Sequence, residues 1–329
     1  MIRGLQRTLH PAWYQGRGKQ APYFEGWYYK LTDSSEQHRL AIIPGIFKSA
    51  DPGESHAFVQ IMDGTSGQAT YHEYAVETFR AAERTLDIQV GPNRFTMEQI
   101  SLHIDAPDRS VIGDLAFAAL TPWPVTLTSP GVMGWFAWVP LMQTYHGVLS
   151  LDHPIRGTLT VDGKTINFRD GRGYIEKDWG RSFPDAWIWM QTNHFDQPGT
   201  SLTASVATIP WLGISFRGFI IGVWHEGALY RFATYTGAQI EKLTIGEDEV
   251  DAVIVDRGHR LEITARSAAG GVLRGPTGTD MAGRVPESLR ATVMVRLSTR
   301  GRDSTHIIFE GSGRNAGLEV VGETSRLLE

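Results

Sequence analysis

The residues best suited to acid chemistry are concentrated in one short segment, Gly173–Gly180. Its side chains Tyr174, Glu176 and Asp178 are predicted to share one face, because successive side chains of an extended strand point to opposite faces. A carboxyl group among aromatic rings has to find a partner or lose solvation energy. Removal from water also disfavours the ionised form of such a group. This segment therefore predicts a site that holds a proton.

An indole-rich segment follows within a few residues. Trp187, Trp189, Gln191 and Asn193 are predicted to share one face of the next strand by the same alternation. The electron-rich face of an indole ring can stabilise a positive charge that lacks a counter-ion. A protonated carboxyl near such rings meets the requirements for protonating an alkene and sheltering the resulting carbocation.

A second acid lies among aromatic residues near the start of the chain. In Tyr23–Tyr29, Glu25 is close in sequence to Trp27 and Tyr28. Glu25 is therefore a third carboxyl candidate after Glu176 and Asp178.

On the residue pattern alone, structural roles are the more common explanation for such residues. Tryptophans in β-proteins usually line a core or a ligand pocket. Glu176 could form an ion pair with Arg181, and Asp178 could cap the turn before it. His146 lies in a predicted strand, where a single histidine is usually a hydrogen-bonded structural residue. These alternatives remain open at the level of sequence.

Composition excludes several classes of function. The chain has 329 residues, of which 41% are hydrophobic and 20% charged, and its formal charge is −5. No basic stripe suited to phosphate contacts is present, so nucleic acid is not an expected partner. The absence of cysteine excludes disulfides, thiolate metal sites and cysteine nucleophiles. No spacing typical of a metal site or a cofactor-binding loop occurs, so no cofactor is expected, and a metal site is unsupported by the sequence although it stays open.

The sequence contains no run of about 20 apolar residues that could span a membrane. The N-terminal 20 residues lack the apolar centre of a signal peptide, and a cytoplasmic location is expected. A peripheral contact with a membrane surface, through which a hydrophobic ligand could be collected, is left open.

Short alternating segments separated by turn residues predict an all-β chain. Asp162-Gly163 inside Gly157–Phe168 is a strong signal for a two-residue hairpin. A second hairpin is predicted over residues 250–266, with a turn at 256–259. Two domains are expected from the length, with a boundary near residue 160. The glycine-rich segment Gly311–Gly317 is predicted to be a turn.

Several segments in order along the chain resemble the tocopherol cyclase family, with a more distant similarity to carotenoid hydratases. They are Tyr23–Tyr28, Gly134–Trp138, Tyr174–Gly180 with Phe183-Pro184, Trp187–Gln191 and Asn315–Gly322. The resemblance implies two lipocalin-like antiparallel β-barrel or sandwich domains, here 1–160 and 161–329. It also implies a cofactor-independent reaction on a prenyl chain. In plant cyclases a double bond of a prenylated hydroquinone is protonated, and the phenol oxygen closes a chromanol ring.

One position departs from the plant pattern. Asparagine stands there where this chain has Asp178, while the residues matching Glu176 and Trp179 are kept. Glu176 and Glu25 are therefore better candidates than Asp178 for a required acid.

The resulting hypothesis is a cyclase-like enzyme for a prenylated aromatic or isoprenoid substrate. A hydrophobic-ligand carrier and a hydratase are the alternatives. Glu176, Asp178 and Glu25 are the candidate proton donors. The residues predicted to contact the ligand are Trp27, Tyr28, Tyr145, His146, Tyr174, Trp179, Trp187, Trp189, Gln191 and Asn193. Among these, the tyrosines would orient a phenol or relay a proton, and Gln191 and Asn193 would hold substrate oxygens.

Overall fold

The structure is a computed structural model that describes residues 6–211, 213–301 and 306–328. It is built almost entirely of antiparallel strands in two large sheets, which confirms the predicted all-β class. Residues 6–8 are α-helical, and short 3₁₀ helices lie at Pro52–Glu54, Val76–Thr78, Gly131–Trp138, Thr234–Thr236 and Thr324–Leu327. Within the described residues, no helix has the length and apolar character needed to cross a bilayer.

The first sheet contains twelve strands of the described chain. They are β1 (Tyr23–Thr32), β2 (Arg39–Lys48), β3 (His56–Asp63), β4 (Ala69–Ala75), β5 (Arg80–Ala81), β6 (Asp87–Val90), β7 (Asn93–Thr96), β8 (Gln99–Ala106), β9 (Arg109–Phe117), β10 (Thr144–Val161), β11 (Lys164–Asn167) and β12 (Gly171–Gly180). Their order is β4-β3-β2-β1-β12-β10-β9-β8-β7-β6-β5, and β11 pairs with β10. The strand that carries the predicted acids, β12, is thus a central strand between β1 and β10.

The second sheet contains ten strands of the described chain. They are β13 (Ala186–Thr192), β14 (Ser201–Trp211), β15 (Ile214–His225), β16 (Ala228–Ala233), β17 (Gln239–Ile245), β18 (Glu249–Val255), β19 (His259–Arg266), β20 (Gly271–Gly275), β21 (Gly283–Thr299) and β22 (Ile307–Gly322). Their order is β16-β15-β14-β13-β22-β21-β19-β18-β17, and β20 pairs with β21. The indole-rich strand, β13, is central in this sheet.

The chain divides into two compact units. The first comprises residues 1–183 and 271–285, and the second comprises 184–270 and 286–329. The division falls after Phe183 instead of near residue 160, because β12 pairs with both β1 and β10 and so belongs to the first sheet. A later segment, 271–285, also joins the first unit, an arrangement that local strand patterns cannot indicate.

Each unit has its own hydrophobic core, built from one alternating face of its strands. Trp27, Tyr29 and Ile175 belong to the first core. Ile188 and Met190 of β13 belong to the second. The side chains between these positions therefore point to the opposite face of each sheet.

Both predicted hairpins are confirmed: β10 pairs with β11 around Asp162-Gly163, and β18 pairs with β19. The prediction of a turn at Gly311–Gly317 is wrong, because this segment lies inside β22. A side chain at Gly313 would clash with Phe195, and one at Gly317 would clash with Trp189. These two glycines let aromatic rings pack directly against the strand.

Candidate active site

Three neighbouring strands, β1, β12 and β10, position the candidate acid. Glu176 of β12 pairs across the sheet with Tyr28 of β1, and Asp178 pairs with His146 of β10. Directly paired residues of antiparallel strands point to the same face. The pairing therefore places these four side chains on the face opposite the core of the first unit.

Four side chains on this face form a connected cluster, which we call the acid group: Tyr174, Glu176, Asp178 and His146. The Tyr174 hydroxyl donates to Glu176 Oε2 at 2.5 Å. The two ring nitrogens of His146 each face a carboxylate, with Nδ1 2.9 Å from Asp178 Oδ1 and Nε2 3.5 Å from Glu176 Oε2. One imidazole thus bridges two carboxyl groups.

The acid group is largely removed from water. Tyr174 is fully buried, and Glu176 is 4% exposed. His146 and Asp178 are more open, with 16% and 26% of their side chains exposed. The group has one dry end, at Glu176, and one end that water can reach.

The charge state of His146 follows from these neighbours. Burial alone would lower its pKa, but the charges of Asp178 and Glu176 outweigh burial and raise the pKa to about 9. An imidazolium donates from both nitrogens, which matches the carboxylate at each of them. By contrast, burial lowers the pKa of His153 on the same strand to about 3, so that ring stays neutral.

His146, Glu176 and Asp178 are also the residues that could surround a metal ion. Each offers one ligand atom, and these atoms lie within 4.8 Å of one another. In the observed rotamers, however, the two carboxylates face different ring nitrogens. Because a carboxylate faces each ring nitrogen, as in a hydrogen-bonded imidazolium, we interpret the group as a site for a proton.

Tyr28 lies beside the acid group, but three other predicted ligand contacts do not. Trp27, Trp179 and Tyr145 alternate with the acid-group residues along their strands and so point toward the core of the first unit. Trp27 is fully buried. The ring of Tyr145 stacks on Trp179, with 5.7 Å between centroids, and its hydroxyl donates to the Val139 carbonyl. These rings were predicted to lie near the site because they are close to the acids in sequence. In the structure, the alternation of side chains along each strand turns them to the other face of the sheet.

Glu25 is likewise on the core face, where it forms an ion pair with Lys177. Both side chains are fully buried. The carboxylate also accepts hydrogen bonds from the backbone N–H groups of Gln15 and Gly16 and from the Tyr23 hydroxyl. The four donor groups around Glu25 indicate a structural role for this side chain.

The remaining predicted contacts belong to the second unit. Trp187, Trp189 and Gln191 lie on the face of β13 opposite its core residues, and Asn193 follows the end of the strand. Gln191 is fully buried, and Asn193 is 2% exposed. These residues are thus kept from water, as expected for ligand contacts, although structural polar residues share this property.

Two acids of the second unit were missed by sequence reasoning. Glu319 of β22 pairs with Trp189 and accepts a hydrogen bond from Trp187 Nε1 at 2.6 Å. Glu287 of β21 pairs with Glu319 and is 2% exposed. The signal for Glu319 was a glutamate between two apolar residues in Leu318-Glu319-Val320. It was not used because a turn was predicted just before it, at Gly311–Gly317.

The sequence match decides the family of this chain. A family model of tocopherol cyclase-like proteins matches residues 114–322, which is more than half of the chain. The chain belongs to the tocopherol cyclase-like family. The resemblance seen in the sequence motifs is thereby confirmed.

Two plant proteins are among its relatives in this family. The chloroplastic tocopherol cyclase of Zea mays is 27% identical over 208 residues, which cover 57% of this chain and 41% of the maize protein. A probable chloroplastic tocopherol cyclase of Oryza sativa subsp. japonica is 28% identical over 211 residues, which cover 60% of this chain and 44% of the rice protein. The matched region thus spans about two fifths of the length of these relatives.

Solved structures with a similar fold cover nearly the whole chain. An AttH-type protein of Nitrosomonas europaea has a TM-score of 0.54 at 14% identity, covering 91% of this chain and 92% of its own. CghA in complex with Sch210972 has a TM-score of 0.54 at 12% identity, covering 92% and 89%. Kievitone hydratase of Nectria haematococca has a TM-score of 0.51 at 12% identity, covering 91% and 89%. At these identities the likeness establishes a shared fold, which is lipocalin-like.

Proposed function

We propose that this protein catalyses an acid-dependent ring closure of a prenylated aromatic or isoprenoid substrate. The observation that carries the proposal is the acid group, in which one imidazole bridges a dry glutamate and a more exposed aspartate. Membership of the tocopherol cyclase-like family supports this class of reaction.

In the proposed reaction, protonated Glu176 gives its proton to the less substituted carbon of a double bond. A tertiary carbocation forms at the other carbon, and a phenol oxygen attacks it to close the ring. The phenolic proton returns to the acid group, so no electrons are transferred and the acid is regenerated. The Tyr174 hydroxyl, which donates to Glu176, stabilises the carboxylate left after proton transfer.

His146 supplies the proton that Glu176 passes on. Its Nε2 faces Glu176, while Asp178 holds Nδ1. Asp178 then orients the ring and does not itself touch the substrate. An asparagine carbonyl could also accept from Nδ1, which fits the asparagine of the plant pattern.

On the second unit, Trp187 and Trp189 present indole rings on the face of β13 that does not join the core. Stabilisation of positive charge by these rings stays a prediction, as does the binding of a ligand oxygen by Gln191.

A hydratase is the second candidate, because kievitone hydratase shares the fold. In that reaction water would capture the carbocation in place of the phenol oxygen. A carrier that binds such a ligand without turnover is the third.

Incubation of the purified protein with a prenylated hydroquinone in heavy water separates these functions. A ring-closed product with one non-exchangeable deuterium on the former alkene carbon is the expected result. A hydroxylated open chain would identify a hydratase, and binding without any product would identify a carrier. Each of these two outcomes contradicts the cyclase proposal.

We also propose that the first unit collects its ligand from a lipid surface. No Asp, Glu, Lys or Arg occurs between residues 115 and 151. Leu127, Trp135 and Leu141 in this segment are 70%, 49% and 78% exposed. Exposed indole and leucine side chains in a segment that has no charged residues of its own suit insertion into the interfacial region of a bilayer.

Flotation with phosphatidylcholine vesicles tests this contact. We expect the wild type to float with the vesicles independently of salt, and replacement of Leu127, Trp135 and Leu141 by serine to reduce the bound fraction several-fold. Met294→Ser, which removes an exposed side chain elsewhere, is the matched control. Equal binding of all three proteins would contradict the proposed surface.

A further inference from the structure

The acid strand, β12, carries a buried charge on its other face. Lys177 lies between Glu176 and Asp178 in sequence, and its side chain points toward the core of the first unit. It is fully buried and forms an ion pair with Glu25. Its ammonium group lies 4.8 Å from the ring centroids of both Trp27 and Trp179. A charge in this setting is fixed in place by rings and a counter-ion together.

The same ion pair also holds the N-terminal segment. Lys177 Nζ donates to the Trp13 carbonyl at 2.8 Å. The Glu25 carboxylate accepts from the backbone N–H of Gln15 at 2.9 and 3.0 Å and from that of Gly16 at 3.0 Å. One buried pair thus joins β1, β12 and the segment Trp13–Gly16.

Strand register explains why this pair matters for the other face. A shift of one residue between β1 and β12 would turn every side chain of β12 to the opposite face. Lys177 would then leave its counter-ion Glu25 and the Trp27 ring of β1, and a buried charge without a partner is strongly unfavourable. The ion pair therefore adds to the apolar contacts in fixing the register between β1 and β12.

We infer that Glu25 and Lys177 are positioning residues that hold Glu176 and Asp178 in contact with His146. This inference rests on the proposed function for its consequence in catalysis, but its structural claim concerns the geometry of the acid group alone. The pair acts from the face opposite the reacting atoms and does not touch the substrate.

The test compares the neutral double variant Glu25→Gln/Lys177→Met with the wild type. Removal of both charges avoids leaving either one buried alone, so the double variant is expected to fold even where a single variant does not. Arg94→Gln is the matched control, because it breaks the exposed Arg94–Asp87 pair of the same unit.

The primary readout is the titration of the His146 ring by nitrogen-15 NMR, which requires no turnover. The groups that face this ring are Asp178, Glu176 and, through Glu176, Tyr174. We expect the pKa of His146 to fall from about 9 by about one unit or more in the folded double variant, because contacts with the two carboxylates loosen. Loss of the Lys177 charge by itself would raise this pKa and loss of the Glu25 charge would lower it, so the two direct charge effects oppose each other and a fall of about one unit or more reports repositioning.

Catalysis is the second readout. In the double variant we expect kcat to fall roughly tenfold, with KM changed less than about threefold, since the acid and not the binding surface is displaced. Backbone exchange at Gln15 and Gly16 should also accelerate. A folded double variant with wild-type His146 titration would overturn the inference. Absence of turnover in the wild type would instead reject the proposed function and leave the NMR result interpretable.

Discussion

The two faces of β12 place acids in contrasting environments. On the core face, Glu25 is fully buried and surrounded by four donor groups, including Lys177. On the opposite face, Glu176 is nearly as dry, but it accepts from the Tyr174 hydroxyl and shares one imidazole with Asp178. The first carboxyl group is surrounded by structural donors, and the second lies next to a histidine ring.

This contrast shows that burial alone does not make a carboxyl group an acid catalyst. Desolvation favours the neutral form of a carboxyl group, but a buried cation and several N–H donors favour the ion. The identity of the partners therefore decides between a structural and a chemical role. The partner of Glu25 is a lysine from the strand that also carries Glu176 and Asp178.

The largest effect is expected from Glu176→Gln. The amide keeps an acceptor for Tyr174 but cannot deliver a proton, so turnover should fall by about 10² to 10⁴, the usual contribution of general acid catalysis. Ligand binding, measured by fluorescence quenching, should change little. Glu83→Gln, at an exposed position, is the control. Turnover within twofold of wild type would remove Glu176 from its role.

Lys177→Met should instead act mainly on stability. It leaves the buried Glu25 carboxylate without its cation, and breaking a buried pair in this way costs about 3 to 5 kcal/mol. Urea denaturation followed by tryptophan fluorescence measures the loss. Arg94→Gln, at an exposed pair, should cost no more than about 1 kcal/mol. If Lys177→Met and Arg94→Gln lowered the free energy of unfolding equally, the buried ion pair would be no more important for stability than an exposed one.

Stability should also depend on pH through His146. Because its pKa is raised to about 9 from an ordinary 6.5, the folded state binds this proton more tightly than the unfolded chain does. The stabilisation is complete below about pH 6.5 and is lost as the pH rises through about 9, and it amounts to roughly 3 kcal/mol. The free energy of unfolding of wild type minus that of His146→Gln, measured from pH 6 to 10, should decline over this range. A constant difference would show that His146 is not charged in the folded protein.

The smallest effect is expected from Asp178→Asn. The amide oxygen can still accept from His146 Nδ1, so the ring keeps its orientation but loses a charge that raises its pKa. Turnover near pH 7 should fall less than about tenfold, and the alkaline limb of the pH–rate profile should move to lower pH. A loss as large as that of Glu176→Gln would make Asp178 the proton donor instead.

Alternation along a strand was enough to predict that Tyr174, Glu176 and Asp178 lie together. It could not predict the contact of Asp178 with His146, which is 32 residues away, or the pairing of Glu25 with Lys177, which is 152 residues away. Such contacts depend on which strands become neighbours, and that order is set by the whole sheet.

Two tryptophans were predicted to contact the ligand because they are close in sequence to a candidate acid, without regard to the alternation of side chains along the strand. Trp179 is adjacent to Asp178, and Trp27 is two residues from Glu25, yet both rings point toward the core of the first unit. The division of the chain after Phe183 likewise depends on non-local pairing, since β12 joins the first sheet through both β1 and β10. The Trp187–Glu319 contact joins residues 132 positions apart and was likewise inaccessible to local patterns.

The central claim is that one imidazolium bridges Glu176 and Asp178 on a dry face of the first sheet. Nitrogen-15 NMR of the His146 ring at pH 7.5 measures its protonation directly. The account predicts that both ring nitrogens carry protons at this pH and that the ring titrates with a pKa of about 9. A neutral ring at pH 7.5, with a pKa at or below 6.5, would contradict it.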